Sequence, residues 1–119
     1  AVLDWELVHR GDPMEDLGYL CIRAWRFGGP KPVAGVGDFG QLFDAYAEVS
    51  GERPDPEIVY WWQVAGTLSW GVLCLLQANR HFTGATRSVE LAAIGRRVAE
   101  QEHDLLRMLH GRTPTSKGA

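Results

Sequence analysis

The feature that most constrains the fold is one long apolar segment, residues 56–82, which reads PEIVYWWQVAGTLSWGVLCLLQANRHF. Asp55 and Pro56 supply a helix cap and a proline at the first helical position, and no further proline interrupts the segment. A helix that is apolar on nearly all sides is normally surrounded by other helices in a globular protein. The sequence therefore predicts a helical fold built around this core segment.

The same segment is long enough to raise the question of a membrane span. It contains Gln63, Thr67, Ser69 and Gln77, has two interior glycines, and lacks a basic flank that would set its orientation. The N-terminus shows no basic region followed by an apolar one, as a secretory signal would. We therefore expect no membrane partner and a cytoplasmic location.

Length and composition indicate one globular domain with a modest core. The chain has 119 residues, of which 45% are hydrophobic and 23% are charged. Its formal net charge of −3 gives no electrostatic reason to expect nucleic acid as a partner. Cys21 and Cys74 lie in apolar helical patterns without a CxxC or Cys/His cluster, so we interpret them as buried thiols.

Three more helices are predicted from apolar residues that recur three and four positions apart. They cover residues 13–27, 39–50 and 88–110. Residues 28–37, rich in glycine and proline, are predicted to form a loop, and residues 112–119 a flexible tail. The predicted organisation is a mainly α domain over residues 1–111 that begins with a short strand.

A glycine-rich stretch, GVGDFG at residues 35–40, imitates two nucleotide-site motifs. It matches the dinucleotide-binding pattern and contains the Asp-Phe-Gly triplet of protein kinases, but both motifs require a preceding strand or a metal-site context that is missing here. Asp38 is instead predicted to cap the helix that follows it.

The N-terminal stretch VLDWELVHRGDPMEDLGYL carries a more specific pattern. An apolar strand end, Asp-Trp-Glu, Gly-Asp-Pro and Asp-Leu-Gly follow one another in order. This stretch resembles the segment just after the catalytic loop of the aminoglycoside phosphotransferase (kinase-like phosphotransferase) family, closest to the branch related to the kinase-like domain of acyl-CoA dehydrogenase proteins. The later helices are similar to the C-terminal helical subdomain of that branch. The resemblance implies a four-helix C-terminal subdomain of a protein-kinase-like fold.

The resemblance also implies roles for four acidic residues. In this family the aspartate at the strand end binds the Mg²⁺ ions that bridge the phosphates of ATP, and Asp4 occupies that position. Glu6, Asp12 and Asp16 would support the site. Asp12 is also a good helix cap, Asp16 would turn inward toward backbone amides of the catalytic loop, and Glu6 would lie near the metal or pair with a basic neighbour.

In the family, the ATP-binding lobe and the loop with the general base precede the Asp-Trp-Glu segment. This sequence begins three residues before Asp4. We therefore expect the C-terminal part of an ATP- and Mg²⁺-dependent phosphotransferase acting on a hydroxyl of a small aminoglycoside-like or hydroxyacyl substrate. Alone it would contain no catalytic residue, bind no cofactor tightly, and be inactive. Its expected partners are the N-terminal lobe, the substrate and a second copy, through apolar surface left exposed. The alternative is a self-standing, non-catalytic helical interaction module.

Five residues of the long helix and its end are candidates for the substrate side of the cleft: Trp61, Trp62, Trp70, Arg80 and His81. Aromatic and basic groups suit an anionic or acyl-bearing substrate better than a polycationic sugar. The tryptophans are also explained by core packing, and that alternative stays open at this point.

Overall fold

The computed structural model of the chain describes residue 3 and residues 5–111, and within them it is mainly helical. The α-helices are α1 (Met14–Leu20), α2 (Phe39–Ser50), α3 (Pro56–Phe82), α4 (Val89–Gly95) and α5 (Val98–His110). Two short 3₁₀ helices occupy Trp5–Leu7 and Arg23–Arg26. The predicted mainly α class is confirmed.

Of the predicted N-terminal strand, residues 1, 2 and 4 lie outside the described residues. Leu3 has no regular secondary structure, and Trp5–Leu7 form a 3₁₀ helix. The described residues contain only two isolated β-bridges, Lys31 with Gly35 and Val33 with Gly37, within the predicted loop.

The ends of α2 and α3 follow the predicted capping residues. The backbone N–H of Glu57 donates to Asp55 Oδ1 at 2.8 Å at the start of α3. At the start of α2, the backbone N–H of Asp38 donates to Gln41 Oε1 at 3.0 Å. Gly51, with φ of 79°, ends α2 in the left-handed conformation that glycine adopts without steric cost.

The first predicted helix is shorter than expected, because it ends at Leu20 instead of Phe27. Ile22 takes an extended conformation before the 3₁₀ helix Arg23–Arg26. Cys21 and Ile22 are both at 0% exposure. The break therefore lets two consecutive apolar side chains be buried, which a regular helix on the surface of α3 does not favour.

The fourth predicted helix is divided into α4 and α5 by a turn at Arg96 and Arg97. The backbone N–H groups of these residues bond to Ala93 and Ile94, three positions back, as in a 3₁₀ turn. Gly95 lies so close to α3 that an added Cβ would stand 2.4 Å from Ala78 Cβ. Close approach at this glycine, which is also a weak helix former, accompanies the change of direction.

Helix α3 is the central element, and α1, α4 and α5 all pack against it. The buried cluster at one end joins α1, α2 and α3 through Leu17, Phe43 and Val59. Gly18 permits the crossing of α1 and α3, since a Cβ there would lie 2.5 Å from Trp62 Cβ. Cys74 and Ala78 are buried nearer the other end of α3.

The expectation that α3 is surrounded on all sides is wrong. Seven of its large apolar residues are exposed: Ile58, Trp61, Leu68, Val72, Leu75, Leu76 and Phe82. By length and composition α3 could cross a membrane, and 28% of its most apolar 18-residue window is buried. The helices that pack against α3 do not cover a helix of this length, so one face stays open.

Candidate functional site

The predicted metal ligand, Asp4, lies outside the described residues. Glu6, predicted to support it, is exposed in the 3₁₀ helix Trp5–Leu7. Among the residues that the structure describes, no group of three or more His, Cys, Asp or Glu side chains could hold a metal ion. The metal site thus stays a prediction from the resemblance.

Asp12 joins the N-terminal segment to the helical body. Its Oδ1 accepts the backbone N–H of Met14 at 2.9 Å, and its Oδ2 accepts the indole N–H of Trp62 at 3.1 Å. The first contact is the helix-start interaction expected of this residue. The second contact fixes the Gly-Asp-Pro element against α3. Asp16 is exposed on α1 and does not turn inward within the described structure.

His9 adds a second polar contact between the N-terminal segment and α1. Its Nε2 lies 3.0 Å from Glu15 Oε2 and its Nδ1 lies 3.0 Å from the carbonyl oxygen of Leu7. The hydrogen bond to the Leu7 carbonyl, followed by the Glu15 carboxylate, raises the pKa of His9 above its usual value of 6.5. Because both ring nitrogens face acceptors, only the protonated imidazole donates to both, and one of the two hydrogen bonds is lost as the pH rises through the raised pKa.

The five predicted substrate-side residues do not form one site. Trp61 is exposed and Trp62 is turned to Asp12. Arg80 lies 19 residues after Trp61 on α3. At 1.5 Å per residue, the two are about 28 Å apart along the helix. His81 accepts the backbone N–H of Ser88 through Nδ1 at 3.0 Å, so it holds the turn before α4. His81 also lines a cavity of about 330 Å³ at the end of α3.

Trp70 is the one predicted residue that belongs to a larger aromatic and basic cluster. Its ring centroid lies 4.8 Å from that of Trp25, and the guanidinium carbon of Arg97 lies 5.9 Å from its ring. Arg97 is in turn held by Glu100 at 3.2 Å and by the carbonyl oxygen of Ala24 at 3.4 Å. Trp70 therefore packs between Trp25 and Arg97, and these contacts lead to a cleft outside the predicted set of residues.

That site is a cleft of about 1100 Å³ between the 3₁₀ helix Arg23–Arg26 with its following loop, α3, and α5. We call it the arginine cleft. Its charged lining residues are Arg23, Arg26, Arg97, Arg107, Glu100 and Asp104, together with His103. Its other lining residues are Ala24, Phe27, Gly28, Gly29, Gln63, Thr67, Ala99 and Met108.

The arginine cleft is more basic than the protein as a whole. Four arginines and two carboxylates line it, a formal excess of two positive charges, whereas the chain carries −3. Arg23 Nη1 bonds to Asp104 Oδ1 at 3.0 Å, and Arg97 pairs with Glu100. Within the described residues no carboxylate lies within 4.0 Å of the guanidinium groups of Arg26 or Arg107. The excess charge is therefore carried by Arg26 and Arg107.

Buried polar side chains of α3 hold one wall of the cleft in place. Gln63 Nε2 donates to the carbonyl oxygen of Cys21 at 2.9 Å, and Thr67 Oγ1 donates to the carbonyl oxygen of Gln63 at 2.8 Å. Arg26 Nη2 reaches the same Cys21 carbonyl at 3.5 Å, while its Nε is buried without a partner among the described residues. These bonds fix the turn that carries Arg23 and Arg26.

The sequence contained only a weak signal for this cleft. Its arginines come from two segments, RAWRF and GRRVAEQEHDLLR, more than 70 positions apart. The breaks after Leu20 and Gly95, which a helical period does not predict, bring them together. Searches against protein-family models, curated proteins and solved structures found no match to this chain.

Proposed function

We propose that the chain is the C-terminal helical part of a cytoplasmic, ATP- and Mg²⁺-dependent phosphotransferase with a kinase-like fold, acting on a hydroxyl of a small molecule. The single observation that supports this most is the order of Asp-Trp-Glu, Gly-Asp-Pro and Asp-Leu-Gly in the N-terminal segment. The hydrogen bond between Asp12 and Trp62 is consistent with this, because it anchors that segment on the helical body.

In this proposal each described element has a limited task. Asp4 would hold Mg²⁺ with a carboxylate oxygen, the ligand type that this ion prefers, and the metal would neutralise charge on the nucleotide phosphates. Asp12 keeps the segment in position against α3. The arginine cleft supplies the acceptor-substrate side. The nucleotide-binding lobe and the general base would come from a part of the protein that precedes this segment.

The test uses the complete protein that contains this chain and measures Mg²⁺- and acceptor-dependent ATP consumption. Asp4→Asn keeps the size of the side chain but removes its charge, so turnover should fall by several orders of magnitude with little change in melting temperature. Asp38→Asn is the matched control, because Asp38 only caps α2 and pairs with Lys31 at 2.9 Å. Equal effects of the two substitutions, or loss with Asp38→Asn alone, would contradict the proposal.

A second candidate function is favoured by the exposed face of α3. Eight residues repeat at alternating three- and four-residue spacing along this face: Ile58, Trp61, Ala65, Leu68, Val72, Leu75, Asn79 and Phe82. We call this face the α3 seam. Such spacing is that of the a and d positions of a coiled coil, in which a polar residue at one a position sets the register. The chain would then act as a helical interaction module that pairs through the α3 seam with a second copy.

A further inference from the structure

We infer that the arginine cleft binds the phosphate group of a small organic phosphate monoester. The first reason is charge. The cleft has two formal positive charges in excess, on Arg26 and Arg107, and a phosphate monoester carries about −1.5 to −2 at neutral pH. A neutral ligand would leave that excess uncompensated.

The second reason is the hydrogen-bonding state of the arginines. Arg23 and Arg97 already bond to carboxylates at 3.0 and 3.2 Å, whereas Arg26 keeps a buried Nε without a partner in the described part of the chain. A buried donor that lacks an acceptor is costly. A guanidinium group offers paired N–H donors that match two oxygens of a phosphate group. A bound phosphate would therefore accept from outward guanidinium N–H groups of Arg26 and Arg107, which no carboxylate of the described residues engages.

The third reason is that the cleft is too large for an inorganic ion alone. Its volume is about 1100 Å³, and apolar atoms of Phe27, Ala24 and Met108 share its wall with the arginines. Ligand sites commonly combine such apolar walls with a few charged groups that orient the ligand. The organic part of the monoester would occupy the apolar wall while the phosphate group faces Arg26 and Arg107.

Only the identification of this ligand as the acceptor substrate depends on the proposed phosphotransferase function. Binding itself involves neither ATP nor Asp4, so it is measured on the chain described here. If Asp4→Asn left turnover unchanged, the phosphotransferase proposal would fail but the binding site would remain. If phenyl phosphate did not bind, the result of the Asp4→Asn test would be unaffected.

The experiment titrates phenyl phosphate into the chain at low ionic strength and follows the heat of binding. We expect saturable binding with one ligand per chain, weakened by added salt because the attraction is electrostatic. Arg107→Gln and Arg26→Gln should each weaken binding by about ten-fold or more, the loss expected when hydrogen bonds to a charged group are removed. Phenol, which lacks the phosphate group, should not bind.

Arg96→Gln is the matched control, since Arg96 is exposed at the end of α4 and does not line the cleft. It should bind phenyl phosphate like the unmodified chain. Arg107 is also exposed, so its substitution should leave the fold intact even where Arg26→Gln does not, and circular dichroism checks both. The inference is overturned by an absence of saturable binding, by equal effects of Arg107→Gln and Arg96→Gln, or by tighter binding of benzoate, a singly charged anion.

Discussion

Two buried glutamines on neighbouring helices differ in how well their amide groups are satisfied. Gln63 donates from Nε2 to the Cys21 carbonyl at 2.9 Å. Gln101, at 2% exposure, makes only a long 3.5 Å contact from Nε2 to the Arg97 carbonyl, and its Oε1 has no partner among the described residues. A buried polar group stabilises a fold only when its bonds replace those it made to water.

We therefore expect opposite outcomes when each glutamine is replaced by methionine, which has a similar size. Gln63→Met should lower the free energy of unfolding by about 1–3 kcal/mol, because the Cys21 carbonyl loses its short hydrogen bond. Gln101→Met should be neutral or stabilising by up to about 1 kcal/mol, because an uncompensated polar group is removed. Denaturant unfolding measures both.

The Arg97 carbonyl keeps backbone donors after the second substitution, since the N–H groups of Glu100 and Gln101 bond to it at 3.1 and 3.3 Å. The Arg97 carbonyl therefore remains hydrogen-bonded without the Gln101 side chain. Equal destabilisation by the two substitutions would show that Gln101 makes a stronger interaction than the structure indicates.

At the scale of elements, the close helix contacts depend on glycines that leave no room for a side chain. A Cβ on Gly95 would stand 2.4 Å from Ala78 Cβ, at the contact between α4 and α3. Gly95→Ala should therefore push the two helices apart and cost about 1–3 kcal/mol of stability, as overpacked cores do. Thermal unfolding followed by circular dichroism measures the change.

Gly40 in α2 is the matched control, because a Cβ there meets nothing within 4 Å. Gly40→Ala should be neutral or stabilising by up to about 1 kcal/mol, since alanine has the higher helix propensity. A destabilising Gly40→Ala, or a neutral Gly95→Ala, would contradict the packing described for α3 and α4.

The same contacts explain which elements could be predicted from the sequence. Caps and periodicity are local signals, so α2 and α3 begin at the predicted residues after Asp38 and Asp55. The ends of α1 and α4 are decided by contact with α3, which depends on residues far away along the chain. The helical pattern of residues 88–110 therefore predicts one helix, whereas the structure has a turn directly after Gly95, where α4 packs closely on α3.

The candidate site was predictable to a lesser degree. The link from Asp12 to the start of α1 followed from capping chemistry, but its bond to Trp62 crosses 50 positions of sequence. Arg26 and Arg107 meet at one cleft only because two helices break. Long-range juxtaposition of this kind leaves no periodic signal, so the sequence points to the basic residues of α3 and not to those that line the cleft.

At the scale of the molecule, the helices do not close around α3. The radius of gyration is 16.6 Å, whereas a compact domain of this length has about 13.5 Å. The open side is the α3 seam, which runs the length of a 27-residue helix. At 1.5 Å per residue and a helix width of about 10 Å, it offers about 400 Å² on each copy, so a pair would bury about 800 Å², the size of a weak or transient interface.

The charges at the two ends of α3 favour an antiparallel pair. Asp55 and Glu57 lie at its start, and Arg80 and His81 lie in its last turn. Two copies related by a two-fold axis would place the acidic end of one beside the basic end of the other, in line with their opposed helix dipoles. A parallel pair would place like charges together.

We predict that the chain forms a weak antiparallel dimer through the α3 seam at high protein concentration, which light scattering after size exclusion measures. Leu68→Glu should give monomers, because it puts a charge in the centre of the seam. Leu106→Glu on α5 is the matched control, with 58% exposure against 57% for Leu68, and should leave the dimer intact.

The direction of pairing is tested by cross-linking. Mixed Ile58→Cys and Phe82→Cys chains should form a disulfide between copies, since only antiparallel pairing brings opposite helix ends together. A monomer at high concentration, open-ended aggregates, or equal loss with Leu106→Glu would refute this pairing, and a disulfide between two Ile58→Cys chains would refute its direction.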